Sequence, residues 1–109
     1  MNTTAPRSEE NALEEVGFRE GAVVRKLDIC NRKGLHARAS AKFVQTVEKF
    51  DTDVRVMRNG ETVGGTSIMG LMMLAAASGS VIEISAAGRD AVSAVETLAR
   101  LIECKFDEA

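Results

Sequence analysis

The sequence has no tryptophan or tyrosine, and it has only one histidine, one proline and two cysteines among its 109 residues. Four phenylalanines are its only large aromatic side chains, too few for a surface that binds bases or sugars by stacking. Fourteen Lys and Arg residues stand against sixteen Asp and Glu, a formal net charge of −2 with the histidine neutral. This balance excludes a basic face for the phosphate backbone, so we expect no nucleic-acid partner.

Long apolar runs are also missing, since none approaches the roughly 18 to 20 residues that cross a bilayer. The first ten residues, MNTTAPRSEE, lack the basic region and apolar stretch of a secretory signal. Cys30 and Cys104 lie far apart with no CxxC pair, so they fit neither a zinc framework nor a disulfide scaffold. We expect inert thiols, no metal or cofactor, no membrane insertion and a reducing cytoplasm.

Residues 1–22 differ from the rest of the chain, because they are acidic, polar and without sustained periodicity. Such a segment cannot bury enough apolar surface to offset its ordering entropy. The prediction is a flexible N-terminal tail over 1–22, followed by one domain over 23–106. The final Asp107-Glu108 pair is expected to be a solvated end.

Apolar periodicity predicts seven elements in the domain. Alternation predicts strands at Val23–Cys30, Val54–Met57, Glu61–Gly64 and Val81–Ser85. A longer period predicts three helices, over His36–Phe50, after Ser67 and after Asp90, with the latter two residues as N-caps. Asn59-Gly60 is typical of a type I′ hairpin turn, in which both central residues need positive φ.

The predicted order is β-α-β-β-α-β-α. Each helix has one apolar stripe and the strands alternate, so two layers bury the apolar surface economically. The fold class is therefore α+β, a two-layer open-faced sandwich in which a four-stranded antiparallel sheet carries all three helices on one face. The other sheet face is expected to meet water.

His36 is the only imidazole, so neither a paired-histidine metal site nor an assignable Ser–His–Asp arrangement is available. It follows a glycine-bearing loop and begins a helix, where unpaired amides and the helix dipole favour anions. An anion on the ring would lie beside the N–H groups of Ala37 and Arg38, and the Arg38 guanidinium could reach it. The pattern suits a histidine that accepts and releases a phosphoryl group. The alternative is a polar helix cap with a solvated arginine.

The motif GLHARAS over 34–40 is similar to the Gly-Leu-His-Ala-Arg-Pro-Ala motif of the HPr family, the histidine-containing phosphocarriers of the bacterial phosphoenolpyruvate-dependent phosphotransferase system. SIMGLMML over 67–74 resembles the second signature of this family, and the Asn-Gly hairpin and EISAAG stretch fall in register. The resemblance covers about residues 22–106.

The resemblance implies a carrier rather than a free-standing enzyme. His36 would be phosphorylated at Nδ1 by the first enzyme of the system and would pass the group to a histidine of a downstream acceptor. Arg38 would contact the phosphoryl group, and Ser67 would match a serine that a dedicated kinase, with its phosphorylase, modifies in some bacteria. An apolar docking patch would comprise Ile68, Met69 and Met72, and the carrier would be a monomer.

One position departs from the family pattern. Ala39 stands where the motif has proline, which pre-sets φ in a first helical turn. The change leaves open whether the chain serves sugar transport or a regulatory phosphorelay. An alternative function is a regulatory module that acts through phosphorylated Ser67 while His36 is not used.

Overall fold

The computed structural model of the protein describes residues 22–108. The predicted N-terminal tail therefore lies outside the described residues, apart from Ala22. Within 22–108, no helix is long and apolar enough to cross a membrane.

The described elements follow the predicted order. The four strands are β1 (Val23–Asp28), β2 (Asp53–Arg58), β3 (Glu61–Gly64) and β4 (Val81–Ala87). The three α-helices are α1 (Ala37–Val47), α2 (Ile68–Met73) and α3 (Ala91–Glu103). A short C-terminal turn follows α3 and spans Lys105–Asp107.

The strands form one antiparallel sheet in the order β1-β4-β2-β3. On central strand β4, Ile82 and Ile84 are fully buried, opposite Leu27 of β1 and Val56 of β2. These side chains share one sheet face because side chains alternate along a strand. The helices contribute their apolar stripes to the same core. The α+β open-faced sandwich is confirmed.

The first helix is shorter than predicted. It begins at Ala37 and ends at Val47, whereas the apolar period predicted His36–Phe50. Ala37 is exposed and Phe50 lies beyond the helix, half-buried. The buried side instead includes Ala39, Ser40, Phe43, Val44, Thr46 and Val47. The prediction used only apolar residues to find the buried side. The core also contains the polar Ser40 and Thr46, whose hydroxyls donate hydrogen bonds to Leu35 O and Lys42 O.

The predicted cap of the last helix is only half right. Asp90 occupies the N-cap position of α3, but its side chain makes no capping bond. Its Oδ2 accepts a hydrogen bond from the Asp51 N–H at 2.8 Å instead. Asp90 therefore ties α3 to the segment between α1 and β2, a contact that a local sequence pattern does not contain.

The hairpin between β2 and β3 has the predicted turn. Asn59 has φ 52° and Gly60 has φ 83°, the two positive values that a type I′ turn requires. Beyond it, Arg58 donates a hydrogen bond to Leu74 O at 3.0 Å. The hairpin is thereby joined to the end of α2.

Candidate functional site: the His36 loop and the C-terminal turn

The loop that carries His36 is shaped by Gly34, which has φ 64°. A Cβ on Gly34 would lie 2.2 Å from the carbonyl oxygen of Ala76, closer than any real contact. The next residue, Leu35, donates its N–H to the same Ala76 oxygen at 2.9 Å. Glycine is therefore required at position 34, and the loop rests directly on the segment that follows α2.

His36 is the N-cap residue of α1, and its imidazole makes no capping bond. The helix begins with Ser40 N–H bonded to His36 O, so the amides of Ala37 and Arg38 precede the first intrahelical donor. The side chain of His36 is 27% exposed. The ring is therefore accessible, and the helix amides beside it are not used by the ring itself.

The imidazole is held from the other end of the chain. Nε2 of His36 lies 2.5 Å from Oε2 of Glu108. The other Glu108 oxygen accepts a hydrogen bond at 3.3 Å from Asn31 Nδ2, which also donates to Gly34 O at 2.8 Å. Glu108 is half-buried. The expectation of a solvated end is thus wrong for Glu108 and right for the exposed Asp107, because the tertiary fold returns the C-terminus to the loop.

The C-terminal turn delivers Glu108 to this place. Lys105, Phe106 and Asp107 have φ values of 57°, 55° and 61°, three consecutive residues in the left-handed region that costs about 1–2 kcal/mol per residue. Phe106 is fully buried, and its carbonyl oxygen accepts a hydrogen bond from Lys42 Nζ at 2.6 Å. Burial of one aromatic side chain and a charge-assisted bond hold the strained turn in place.

The charge of Glu108 is favoured at this position. The hydrogen bond from His36 lowers the pKa of the Glu108 carboxyl below its ordinary value of 4.5 despite some desolvation, and the Asn31 hydrogen bond and the His36 and Lys33 charges also lower it. A carboxylate on Nε2 requires a proton on that nitrogen, so Nδ1 of a neutral His36 is the nitrogen with a free lone pair.

A shallow cavity of about 630 Å³ lies beside the imidazole. The cavity is lined by four cationic residues, Arg32, Lys33, Arg38 and Lys42, and by two acidic residues, Asp107 and Glu108. The predicted partners His36, Ala37 and Arg38 all border this cavity. Its chemistry suits a small, multiply charged anion attached to the ring.

Ser67 is exposed and caps α2, its Oγ accepting the Gly70 N–H at 2.9 Å. The predicted cap is confirmed. The neighbouring apolar side chains that the sequence singled out are exposed, with Met69 70% accessible and Ile68 and Met72 40% each.

Met73 is 73% accessible and extends this apolar surface, although the pattern did not single it out. The sequence analysis also missed Asn31, Lys33 and Glu108 at the histidine. A local signal existed only for Lys33, which lies three residues before His36.

The fold and the site define a class of small α+β domain in which one half-buried histidine, at a helix start, borders a cavity lined mostly by cationic side chains. A family model described as "PTS HPr component phosphorylation site" matches residues 23–104. The chain belongs to the HPr family of phosphocarriers of the phosphotransferase system.

Relatives and solved structures agree. The phosphocarrier protein HPr of Neisseria meningitidis serogroup A is 51% identical over 82 residues, 75% of this chain and 92% of the relative. The phosphocarrier protein NPr of Shewanella violacea is 35% identical over 85 residues, 78% and 93% of the two chains. The crystal structure of HPr-C-His from Thermoanaerobacter tengcongensis is similar with a TM-score of 0.77, at 41% identity and 80% and 98% coverage.

Proposed function

We propose that His36 carries the phosphoryl group and does so on Nδ1. The single observation that carries this proposal is the contact between Nε2 and Glu108. It occupies one ring nitrogen as a donor and leaves the other as the nucleophile. The donor would be a phosphohistidine of the first enzyme of the system, and the acceptor a histidine of a downstream protein.

The transfer balances without a cofactor. The Nδ1 lone pair of His36 attacks phosphorus, a new N–P bond forms, and the N–P bond of the donor breaks with its electron pair returning to the donor imidazole. As the ring of His36 gains positive character, Glu108 stabilises it through Nε2. Transfer to the acceptor is the same step in reverse, with His36 as the leaving group.

The surroundings of the ring favour a transient phosphoryl group. The amides of Ala37 and Arg38 supply donors at the positive end of the α1 dipole. Arg38 is exposed beside the same cavity, where its planar guanidinium can bind two phosphoryl oxygens. Arg38 therefore acts as a movable clamp that binds the charged form and releases it on transfer.

Phosphorylation of the purified full chain tests this assignment. With the first enzyme and phosphoenolpyruvate, we expect an acid-labile adduct that is lost in His36→Ala. Arg38→Gln should keep the adduct but slow its formation, with exposed Arg89→Gln as the matched control. An acid-labile adduct that persists in His36→Ala would refute the assignment.

We further propose that Ser67 is a regulatory phosphorylation site. It is exposed, at the start of α2 and directly before the apolar surface of Ile68, Met69 and Met72. A phosphate there adds about −1.5 to −2 charge beside side chains that we propose dock partner proteins. That charge would repel an acidic partner. It would also bind water at the edge of the apolar surface, where the uncharged serine stands now.

A serine kinase reaction tests the regulatory site. Acid-stable label should be lost in Ser67→Ala and retained in Thr66→Ala, which alters the exposed neighbour. Ser67→Asp should slow phosphoryl acceptance at His36 without removing it. Equal rates in Ser67→Asp and the unmodified protein would contradict the regulatory role.

A regulatory module with an unused His36 is the second candidate, favoured by the exposed Ser67. It predicts acid-stable label only, with no acid-labile adduct on incubation with the first enzyme. The contact between His36 and Glu108 and the cavity lined mostly by cationic side chains favour the carrier function over this alternative.

A further inference from the structure

Cys30 is distant from Cys104 in the sequence, but in the fold it lies against the two residues that precede Cys104. The Cys30 thiol donates to Ile102 O at 3.2 Å, and its sulfur lies 4.0 Å from Glu103 O. Cys104 follows Glu103 directly. A peptide carbonyl oxygen is about 2.8 Å from the next Cα by standard backbone geometry, so Cys30 Sγ lies within about 7 Å of the Cα of Cys104.

Both thiols are free and exposed. Rotating the Cys30 side chain between staggered χ1 positions moves its sulfur by about 3 Å. In a disulfide, each sulfur lies about 4 Å from the Cα of the partner cysteine by standard bond lengths and angles, so a displacement of about this size brings Cys30 Sγ to bonding distance. A depression of about 240 Å³, lined by Cys30, Asn31 and Lys105 among others, keeps the Cys30 side open to a small reagent.

Each cysteine lies next to one of the two segments that hold Glu108 against the imidazole of His36. Cys30 directly precedes Asn31, which binds Glu108. Cys104 directly precedes the C-terminal turn, which carries Glu108 to His36. A covalent link between the two sulfurs would therefore act on the support of the imidazole from both sides.

We propose that Cys30 and Cys104 form a reversible thiol–disulfide pair that changes the Glu108 support of His36 under peroxide stress. One thiol attacks the peroxide O–O bond, which gives a sulfenic acid and one water. The second thiol then displaces the sulfenic oxygen as a second water, and the S–S bond forms. A dithiol reductant returns both thiols. Formation of the disulfide does not depend on the function of His36, whereas its effect on phosphoryl transfer rests on the proposed function.

The disulfide is expected to displace Glu108. Only the three residues of the turn separate Cys104 from Glu108, so a shift at Cys104 acts on the position of Glu108 through a short segment. His36 then loses the partner of Nε2. We expect phosphoryl acceptance to slow roughly threefold or more and to recover on reduction.

Peroxide treatment of the full chain at low protein concentration tests the pair. We expect a mass loss of about 2 Da and a peptide that joins Cys30 to Cys104, both reversed by a dithiol. Cys30→Ser and Cys104→Ser should show no intramolecular link and should gain oxygen at the remaining thiol. Separate oxidation of the two thiols in the unmodified chain, or links only between molecules, would overturn the proposal.

The consequence has its own measurement. Side-chain NMR of His36 should differ between the oxidised and reduced chains, and the difference should be absent in Cys104→Ser treated in the same way. An unchanged ring spectrum in a fully cross-linked chain would overturn the coupling. Neither this spectrum nor the mass measurement involves phosphoryl transfer, so failure of the carrier function would be recognised separately.

Discussion

Nε2 of His36 lies 2.5 Å from Oε2 of Glu108, although 72 positions separate the two residues. The contact joins the start of α1 to the end of the chain, through a turn that only tertiary packing holds. It orients the imidazole, makes Nε2 the donor nitrogen and places a negative charge where the ring would become positive during the proposed transfer. The segment that ends at Glu108 is therefore part of the site.

Replacing Glu108 with glutamine should slow phosphoryl acceptance by roughly 3- to 10-fold, because the amide keeps a hydrogen-bond acceptor but loses the charge that stabilises the ring. The rate of adduct formation with the first enzyme and phosphoenolpyruvate measures this effect. Asp107→Asn is the control, since Asp107 is exposed and adjacent. A rate loss as large in Asp107→Asn would contradict a specific role for Glu108.

Acid should weaken the contact between Glu108 and His36. The pKa of Glu108 lies below its ordinary value of 4.5 in the folded protein, chiefly because of the His36 hydrogen bond. The contribution of this group to stability is thus fully present above pH 4.5 and is lost as the pH falls through the lowered folded-state pKa.

Thermal unfolding of the unmodified chain and of Glu108→Gln measures this linkage. The difference in Tm between them should be present above pH 4.5 and should shrink as the pH falls below it. A difference that grows on acidification would have the opposite sign and would count against the assigned contact.

Substitution of Gly34 by alanine should cost more than about 3 kcal/mol, because a new Cβ would overlap a backbone oxygen at a positive φ. Gly60→Ala is the matched control, since Gly60 also has a positive φ but has open space around it. Its cost should be about 1 kcal/mol. Denaturant unfolding compares the two, and equal costs would show that the contact with Ala76 does not restrict the loop.

Lys105→Gly should stabilise the protein by about 0.5–1 kcal/mol, because glycine removes the left-handed strain at φ 57°. The greater conformational entropy of glycine in the unfolded chain offsets part of this stabilisation. The measurement is again the free energy of unfolding. Arg100→Gly, on the exposed side of α3, should instead destabilise by about 1 kcal/mol. Destabilisation by both glycines would show that position 105 is not strained.

Local pattern was sufficient for much of the architecture. The hairpin at Asn59-Gly60, the cap at Ser67 and the buried stripe of α3 depend on neighbours in the chain, and each was predicted. The ends of α1 and the partner of Asp90 were not, because they depend on which side chains the core accepts and on a backbone amide from another segment.

The residues of the candidate site also divide into those that the sequence predicted and those that it did not. His36, Ala37 and Arg38 were selected from residue types at a helix start, whereas Ser67 was selected as a regulatory residue through the resemblance of its motif to the family. Glu108 and Asn31 carry no such motif. Their role follows from where a strained turn ends, and that depends on the burial of Phe106 and the Lys42 bond to its carbonyl oxygen.

The sequence by itself determined the order of strands and helices, the sheet-and-helix layering and the histidine at a helix start, because periodicity, turn residues and caps act over a few neighbouring residues. Only the tertiary structure decided that Glu108 supports the imidazole and that Cys30 lies against the end of α3. Those contacts join segments more than seventy positions apart, and their geometry exists only once the sheet and helices have packed around a common core.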